Sequence, residues 1–157
     1  MLALALFVSG CATFRSYDKE LGQTMGQVSG GSVDAAIKVL ESNNKSETKD
    51  LLYYLELGEL QRLKDRYQDS QKSWMAANER VQAWEHTAQT DPSKLLPGAA
   101  AYVINDKVRP YEGHDYEKVM LLTNIALNYL AMSEYENARV AIKQTHELEA
   151  VITELRS

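Results

Sequence analysis

Residues 54–77 read "YLELGELQRLKDRYQDSQKSWMAA", and residues 122–145 read "LTNIALNYLAMSEYENARVAIKQT". When the two stretches are aligned, positions with bulky residues in one stretch match positions with bulky residues in the other, and positions with small residues match as well. The bulky and small positions recur three and four residues apart, which is typical of helices that pack against one another. Each stretch is therefore predicted to form a hairpin of two α-helices.

The pattern depends on small residues at helix contacts and on bulky or aromatic residues beside them. They are Leu57, Gly58, Tyr67, Ser70, Trp74 and Ala77 in the first stretch, and Ala126, Tyr129, Tyr135 and Ala138 in the second. Small residues such as Gly58 and Ser70 are expected where the two helices approach closely. Tyr67 and Tyr135 are expected at the turns, with the ring packed across the helix pair and the hydroxyl in water.

The spacing of these positions indicates a repeat. The interval from Tyr67 to Tyr135 is twice the interval from Val33 to Tyr67, and Ala36 and Leu40 follow Val33 in the small and bulky places. The shorter interval resembles the period of the tetratricopeptide repeat (TPR), about 34 residues. The resemblance implies an all-α, TPR-like helical-hairpin array, that is, an α-solenoid. Another array of antiparallel helical hairpins remains the alternative.

The period is interrupted in the middle of the chain. An apolar stripe continues from Trp74 to Ala88 at helical spacing, so the second helix is predicted to run to about residue 90, where Pro92 follows. An irregular insert is predicted near residues 92–114. The helical pattern then restarts, with Asp115 as the expected N-cap.

The N-terminus carries a separate signal. Residues 1–10 read "MLALALFVSG", an uncharged run too short to span a bilayer, which needs about 20 residues. Val8, Ser9 and Gly10 lead into Cys11, the only cysteine, and this order resembles a bacterial lipobox. Cys11 is therefore the expected lipid attachment site. The alternative is a free cysteine in a buried apolar segment.

Three regions follow from this interpretation. Residues 1–10 are the apolar part of a signal peptide, incomplete because it has no basic start. Residues 11–31 are a flexible lipidated N-terminus and tether with weak helical character, and residues 32–157 are the TPR-like domain. The residue after the cysteine is Ala12 and not Asp, and in this the chain resembles lipoproteins that are sorted to the outer membrane. The expected location is therefore the bacterial outer membrane, facing the periplasm.

Two longer stretches resemble a poorly characterised family of bacterial TPR-like lipoproteins. They are "YYLELGELQRL" (residues 53–63) and "VINDKVRPYEGHDYEKVMLLTNIALNYL" (residues 103–130). Members of that family generally continue with further helical repeats, so this chain is expected to correspond to a truncated member. The resemblance implies no established activity.

Charge and motif content exclude some classes of function. The chain has 17 Lys and Arg against 22 Asp and Glu, a net charge of −5, which argues against a nucleic-acid partner. No cofactor or metal site is predicted. The only local cluster of candidate ligands is Glu112, His114 and Asp115, and its spacing fits a solvated loop before a helix better than a metal site.

The TPR resemblance implies a partner groove along the first helix of each hairpin. The positions in register are Leu52, Leu55, Glu59, Arg62 and Leu63 in one helix, and Met120, Thr123, Leu127, Leu130 and Ala131 in the other. Tyr102 and Tyr111 in the insert are further candidates. The sequence leaves open whether an amphipathic partner helix binds there or the insert fills the groove.

These inferences favour a non-enzymatic scaffold that is anchored to the membrane through its N-terminal lipid and binds an envelope protein or a peptide segment. Two alternatives from other classes remain. One is a cell-wall enzyme or a regulator of one, with the loop at residues 112–115 as its site. The other is a carrier of lipid or lipoprotein, with acyl chains in the groove.

Overall fold

A computed structural model of the chain describes residues 17–47, 49–90 and 114–155. Within these ranges the protein is all-α, as predicted, with six helices and no strand. The helices are α1 (Tyr17–Ser29), α2 (Val33–Asn43), α3 (Leu51–Arg62), α4 (Tyr67–Thr90), α5 (Asp115–Ala131) and α6 (Tyr135–Leu155). The predictions on residues 1–16 and on residues 92–113 lie outside these ranges.

The helices form three hairpins in chain order. Helix α1 packs on α2, α3 on α4, and α5 on α6, while α3 also contacts α2 and α5 also contacts α4. Neighbouring hairpins therefore share helix contacts, so each one covers an apolar face of the one before it. Sequential contacts of this kind are characteristic of helical arrays.

The three hairpin turns have the same backbone conformation. Each contains one residue with positive φ, namely Gly31 at 80°, Asp65 at 56° and Ser133 at 61°. The N–H of each of these residues donates to the carbonyl three residues earlier, and the next N–H donates to the carbonyl five residues before it. This pair of hydrogen bonds is the Schellman motif. The interval between the second and third turns is twice that between the first and second, as the predicted period requires.

The contacts between the two helices of each hairpin also recur in this register. A small residue is buried at the matching position of each helix. The residues are Thr24, Gly58 and Ala126 on the first helices, and Ala36, Ser70 and Ala138 on the second helices. Small side chains there let the helix axes approach closely. The sequence analysis identified all of these except Thr24.

Two apolar clusters form the core. One joins α2 to α3 through Ala36, Leu40, Tyr53 and Leu60. The larger one joins α3, α4, α5 and α6 and contains Leu51, Trp74, Ala77, Val81, Leu121, Leu122, Ile125, Ala126 and Ala141. From the apolar stripe of α4, Trp74, Ala77 and Val81 thus pack in this larger cluster. Helix α4 extends to Thr90, as its stripe predicted.

Helix α1 differs from the prediction for its segment, which was a tether with weak helical character. Tyr17–Ser29 form a regular helix that packs on α2, with Thr24 buried. The Tyr17 hydroxyl donates to Asp50 at 3.2 Å, and the Asn43 amide donates to Gln23 at 3.0 Å. These tertiary contacts offset the low helix propensity of the glycines in α1.

The start of α5 also differs from the prediction. Its N-cap is His114 and not Asp115, which lies in the first turn of the helix. The backbone N–H of His114 donates to the Glu117 carboxylate at 2.6 Å. This contact satisfies one donor near the helix start, and the carboxylate is placed where the helix dipole favours negative charge.

A partly buried ion pair connects α5 to α4. The ammonium of Lys118 lies 3.1 Å from the Glu85 carboxylate and 4.9 Å from the centre of the Trp84 ring. The Lys118 side chain is only 10% exposed, so the carboxylate and the ring replace much of its hydration. This contact lies near the end of α4, where α4 and α5 still pack side by side.

Candidate interaction groove

Gly58 on α3 lies in close contact with Trp74 on α4. A Cβ atom on Gly58 would lie 2.2 Å from atoms of the Trp74 ring, so only glycine fits the present packing. The indole N–H of Trp74 donates to the Leu55 carbonyl at 3.3 Å. The Trp74 side chain is only 2% exposed and is therefore buried.

Among the other pattern residues, Ser70, Ala77, Ala126 and Ala138 are buried, and Leu57 and Tyr129 pack against the two clusters. Tyr67 is half-buried, and its hydroxyl donates to Asp65 at 2.9 Å. This hydrogen bond and the negative charge of Asp65 raise the pKa of Tyr67. The expectation for Tyr135 was wrong, because its side chain is 64% exposed at the start of α6 and not packed across the hairpin.

Asn128 is a buried polar residue that the sequence analysis did not identify. It lies on α5 and is fully buried, and its amide donates to the Ser70 hydroxyl on α4 at 2.9 Å. Ser70 matches Ala36 and Ala138 in the repeat, so its hydroxyl provides a contact that those two positions lack. The hydrogen bond holds α5 near the N-terminus of α4.

The residues predicted to face a partner are only partly brought together. Leu127 and Leu130 on α5 are each 42% exposed, whereas Leu52, Leu55 and Arg62 on α3 are half-buried. The remaining predicted positions on these helices are half-buried or exposed: Glu59 and Leu63 on α3, and Met120, Thr123 and Ala131 on α5. Tyr102 and Tyr111 lie outside the residues that the structure describes.

A groove of about 340 Å³ lies between α3 and α5, over Trp74. We call it the α3–α5 groove. The residues lining it are Leu55, Glu59, Trp74, Tyr116, Glu117, Met120, Leu121 and Asn124. Of the predicted partner positions, Leu55, Glu59 and Met120 belong to it. Leu52, Arg62, Leu127 and Leu130 do not line it.

The α3–α5 groove has an apolar floor and an acidic rim. Trp74 and Leu121 are buried beneath it, while Tyr116 and Met120 are 63% and 57% exposed at its edge. Its two charged lining residues are Glu59 on α3 and Glu117 on α5, and no lysine or arginine is among the described residues that line it. The groove can therefore accept apolar side chains and favours positive charge beside them.

The sequence analysis missed the contributions of Tyr116, Glu117 and Trp74 to this groove. Tyr116 and Met120 are four residues apart on α5, so both lie on one face of the helix, and this spacing was the available signal. Trp74 could not be assigned to the groove from the pattern of α4 alone, because its side chain reaches the groove only by packing beside Gly58 on α3.

The loop at residues 112–115 was considered above as a possible metal or enzyme site. In the part that the structure describes, its residues have a structural role at the start of α5. His114 caps α5, and its ring stacks on Tyr116 with centroids 5.4 Å apart. Asp115 lies in the first turn of the helix, and Glu112 is outside the described residues. Within the described ranges, no group of three or more His, Cys, Asp or Glu side chains could hold a metal ion.

Comparisons with known proteins give no relative for this chain. No protein-family model matches it, and neither a curated protein nor a solved structure matches it. None of the helices in the described part of the chain is long and apolar enough to cross a membrane. The fold defines an all-α protein built from helical hairpins.

Proposed function

We propose that this protein is a non-enzymatic interaction scaffold of the bacterial envelope, built on a TPR-like array and anchored to the outer membrane by lipid on Cys11. The array would face the periplasm and bind a segment of another envelope protein in the α3–α5 groove. The observation that carries the interaction is this groove, which exposes large apolar side chains over a buried floor.

The recurrence of the hairpins supports a TPR-like array. The turn geometry at Gly31, Asp65 and Ser133 repeats in the register that the sequence indicates, and the buried small residues follow the same register. In TPR-like arrays the first helices of successive hairpins line the partner-binding face, and α3 and α5 are the first helices of the second and third hairpins.

The exposed side chains of the groove support protein binding. Tyr116 and Met120 are large apolar residues at an exposed edge, and aromatic residues and methionine are enriched at protein interfaces. Trp74 and Leu121 already fill the floor, so the groove would need little rearrangement on binding. A preformed site reduces the entropy lost on association.

The lipid anchor is supported by the sequence alone. Val8, Ser9 and Gly10 follow an apolar run and precede the only cysteine. One acyl chain gives marginal membrane binding, whereas two or more give stable attachment. The test is mass spectrometry of the mature N-terminus, with wild type compared with Cys11→Ser. We expect acyl mass on Cys11 and outer-membrane partitioning that the variant loses. An unmodified wild-type N-terminus contradicts the anchor.

The groove is tested by site-specific photo-crosslinking in cells. A photoreactive amino acid is placed at Met120 in the groove or, as a matched control, at Val140 on α6; the two side chains are 57% and 58% exposed. We expect one discrete protein adduct at Met120 that is absent at Val140 and is lost when Leu55→Asp is added. Equal labelling at both positions contradicts the proposal. An adduct with lipid in place of protein favours the carrier alternative.

A further inference from the structure

We infer that the segment bound by the α3–α5 groove carries a lysine or arginine next to a large apolar side chain. This inference rests on the proposed function and adds the chemistry of the partner. It follows from the composition of the lining, in which apolar side chains share the groove with one glutamate from each of α3 and α5.

The apolar part of the groove sets the size of what can enter. Its volume of about 340 Å³ is near the lower end of the range for small-ligand sites, roughly 300–1,000 Å³. A site of this size takes a few side chains, not a whole folded surface. Leu55, Met120 and the buried Trp74 provide contacts for an aliphatic or aromatic side chain.

The charged residues of the groove determine which sign of charge is favoured on the partner. Glu59 and Glu117 carry the only charges among the described lining residues, and both are negative. A cation bound in the groove is attracted by both carboxylates, whereas an acidic segment or an anionic lipid headgroup is repelled by both. Partner charge is therefore a specificity determinant of this groove.

Glu59 is able to exchange its present contact for a ligand. Its carboxylate lies 3.9 Å from the Arg62 guanidinium, and the two side chains are 46% and 34% exposed. A contact at this distance and exposure contributes little to stability. Moving the Glu59 side chain toward a bound cation therefore costs little. Glu117 keeps its hydrogen bond to the His114 N–H and contributes its charge from a fixed place.

The first experiment is a selection of binders from a random peptide library displayed on phage, against the full chain. Phage that also bind the Met120→Asp variant are removed in a preceding round, whereas phage that bind Val140→Asp are kept. We expect the enriched peptides to combine an aromatic or large aliphatic residue with Lys or Arg within the next few positions.

The second experiment measures the charge preference with one enriched peptide. Its affinity is determined by calorimetry for wild type, for Glu59→Lys and for Glu79→Lys, a matched change on the exposed surface of α4 outside the groove. We expect Glu59→Lys to weaken binding by about tenfold and Glu79→Lys to change it less than about twofold. Replacing the basic residue of the peptide with Glu should weaken binding to wild type by a similar factor.

The outcomes separate this inference from the proposed function. Enrichment of groove-dependent peptides without a basic residue, or equal affinities for wild type and Glu59→Lys, overturns the inference and leaves peptide binding by the groove in place. Failure to enrich any peptide that depends on Met120 counts against the inference and against the proposed function of the groove together.

Discussion

The Trp74 ring lies against the backbone of Gly58 so closely that a methyl group at Gly58 would be 2.2 Å from it. This contact sets the distance between α3 and α4. It also fixes the indole that forms the floor of the α3–α5 groove. The stability of the hairpin and the shape of the groove therefore depend on the same pair of residues.

Gly58→Ala is expected to lower the free energy of unfolding. In the middle of a helix, alanine is more stabilising than glycine by about 0.5–1 kcal/mol. Overpacking against a buried ring, however, costs about 1–3 kcal/mol. We expect a net loss of about 1–2 kcal/mol in urea denaturation followed by circular dichroism. Since the indole has to move, the loss should be accompanied by a change in tryptophan fluorescence.

The control for this substitution is Gly22→Ala on α1. No atom lies within 4 Å of a Cβ built on Gly22, so only the helix propensity changes. We expect this variant to gain about 0.5–1 kcal/mol. If Gly58→Ala were stabilised to the same extent, the close approach of α3 and α4 would be wrong.

The turn between α5 and α6 should be stabilised by Ser133→Gly. Ser133 has a φ of 61°, in the left-handed region that costs a residue with a side chain about 1 kcal/mol or more. Its side chain is exposed, so its removal loses no packing. After the greater entropy of glycine in the unfolded chain is allowed for, a gain of about 0.5 kcal/mol is expected.

The reverse substitution, Gly31→Ser in the first turn, should lose about the same amount or more, because Gly31 has a φ of 80°. Both variants are measured by thermal and urea unfolding. A loss in Ser133→Gly together with no effect in Gly31→Ser would show that the turns do not share this conformation.

The Asn128–Ser70 hydrogen bond should be visible as a coupling energy. Ser70→Ala leaves the buried Asn128 amide without this partner and is expected to cost about 1–2 kcal/mol. In an Asn128→Leu background the same substitution should cost much less, because no buried amide remains. The matched substitution Thr145→Ala, in which the side chain bonds only within its own helix, serves as control. Additive effects of Ser70→Ala and Asn128→Leu would contradict the coupling.

The pH dependence of stability should include a contribution from Asp69 near the start of α4. A hydrogen bond from Arg66 lowers the pKa of Asp69 below its ordinary value of 3.8. A carboxyl with a lowered folded-state pKa stabilises the protein above the unfolded pKa and loses that contribution as pH falls through the folded pKa. Asp69→Asn should therefore be less stable than wild type near neutral pH, and the difference should close as the pH falls below 3.8 and through the folded-state pKa of Asp69.

Asp34 should follow the same direction, since its hydrogen bond with Lys64 lowers the pKa of Asp34. Both carboxylates are exposed, so the differences should be small and should shrink at high salt. Urea titrations at several pH values measure them. A difference that grows on acidification would reverse the assigned sign.

Much of the helical architecture was predictable because its signals are local. The spacing of Gly58, Ser70 and Trp74 predicted the hairpin of α3 and α4, and the same spacing predicted α5 and α6. The apolar stripe of α4 and the following Pro92 indicated its extent, and the helix runs to Thr90. Periodicity and helix breakers act within a few residues, so they can be read along the chain.

Other features depended on contacts between distant residues. Helix α1 was predicted to be mostly tether because Gly22 and Gly26 weaken its local signal, whereas burial of Thr24 and the bond from Tyr17 to Asp50 stabilise it in the folded chain. Tyr135 matches Tyr67 in sequence and yet is exposed. Register determines where a residue lies along a helix, and the neighbouring helices determine whether it is covered.

The sequence by itself determined the helical class, the period of the hairpins and the order of residues around Cys11, because each of these is written in short-range patterns. Only the tertiary structure decided which side chains form the groove. Leu55 and Met120 lie far apart in the chain and line one groove, while Leu127 and Leu130 are excluded from it. The reason is that the pairing of side chains from different helices depends on how the helices pack in three dimensions, and the periodicity along a single helix does not specify that packing.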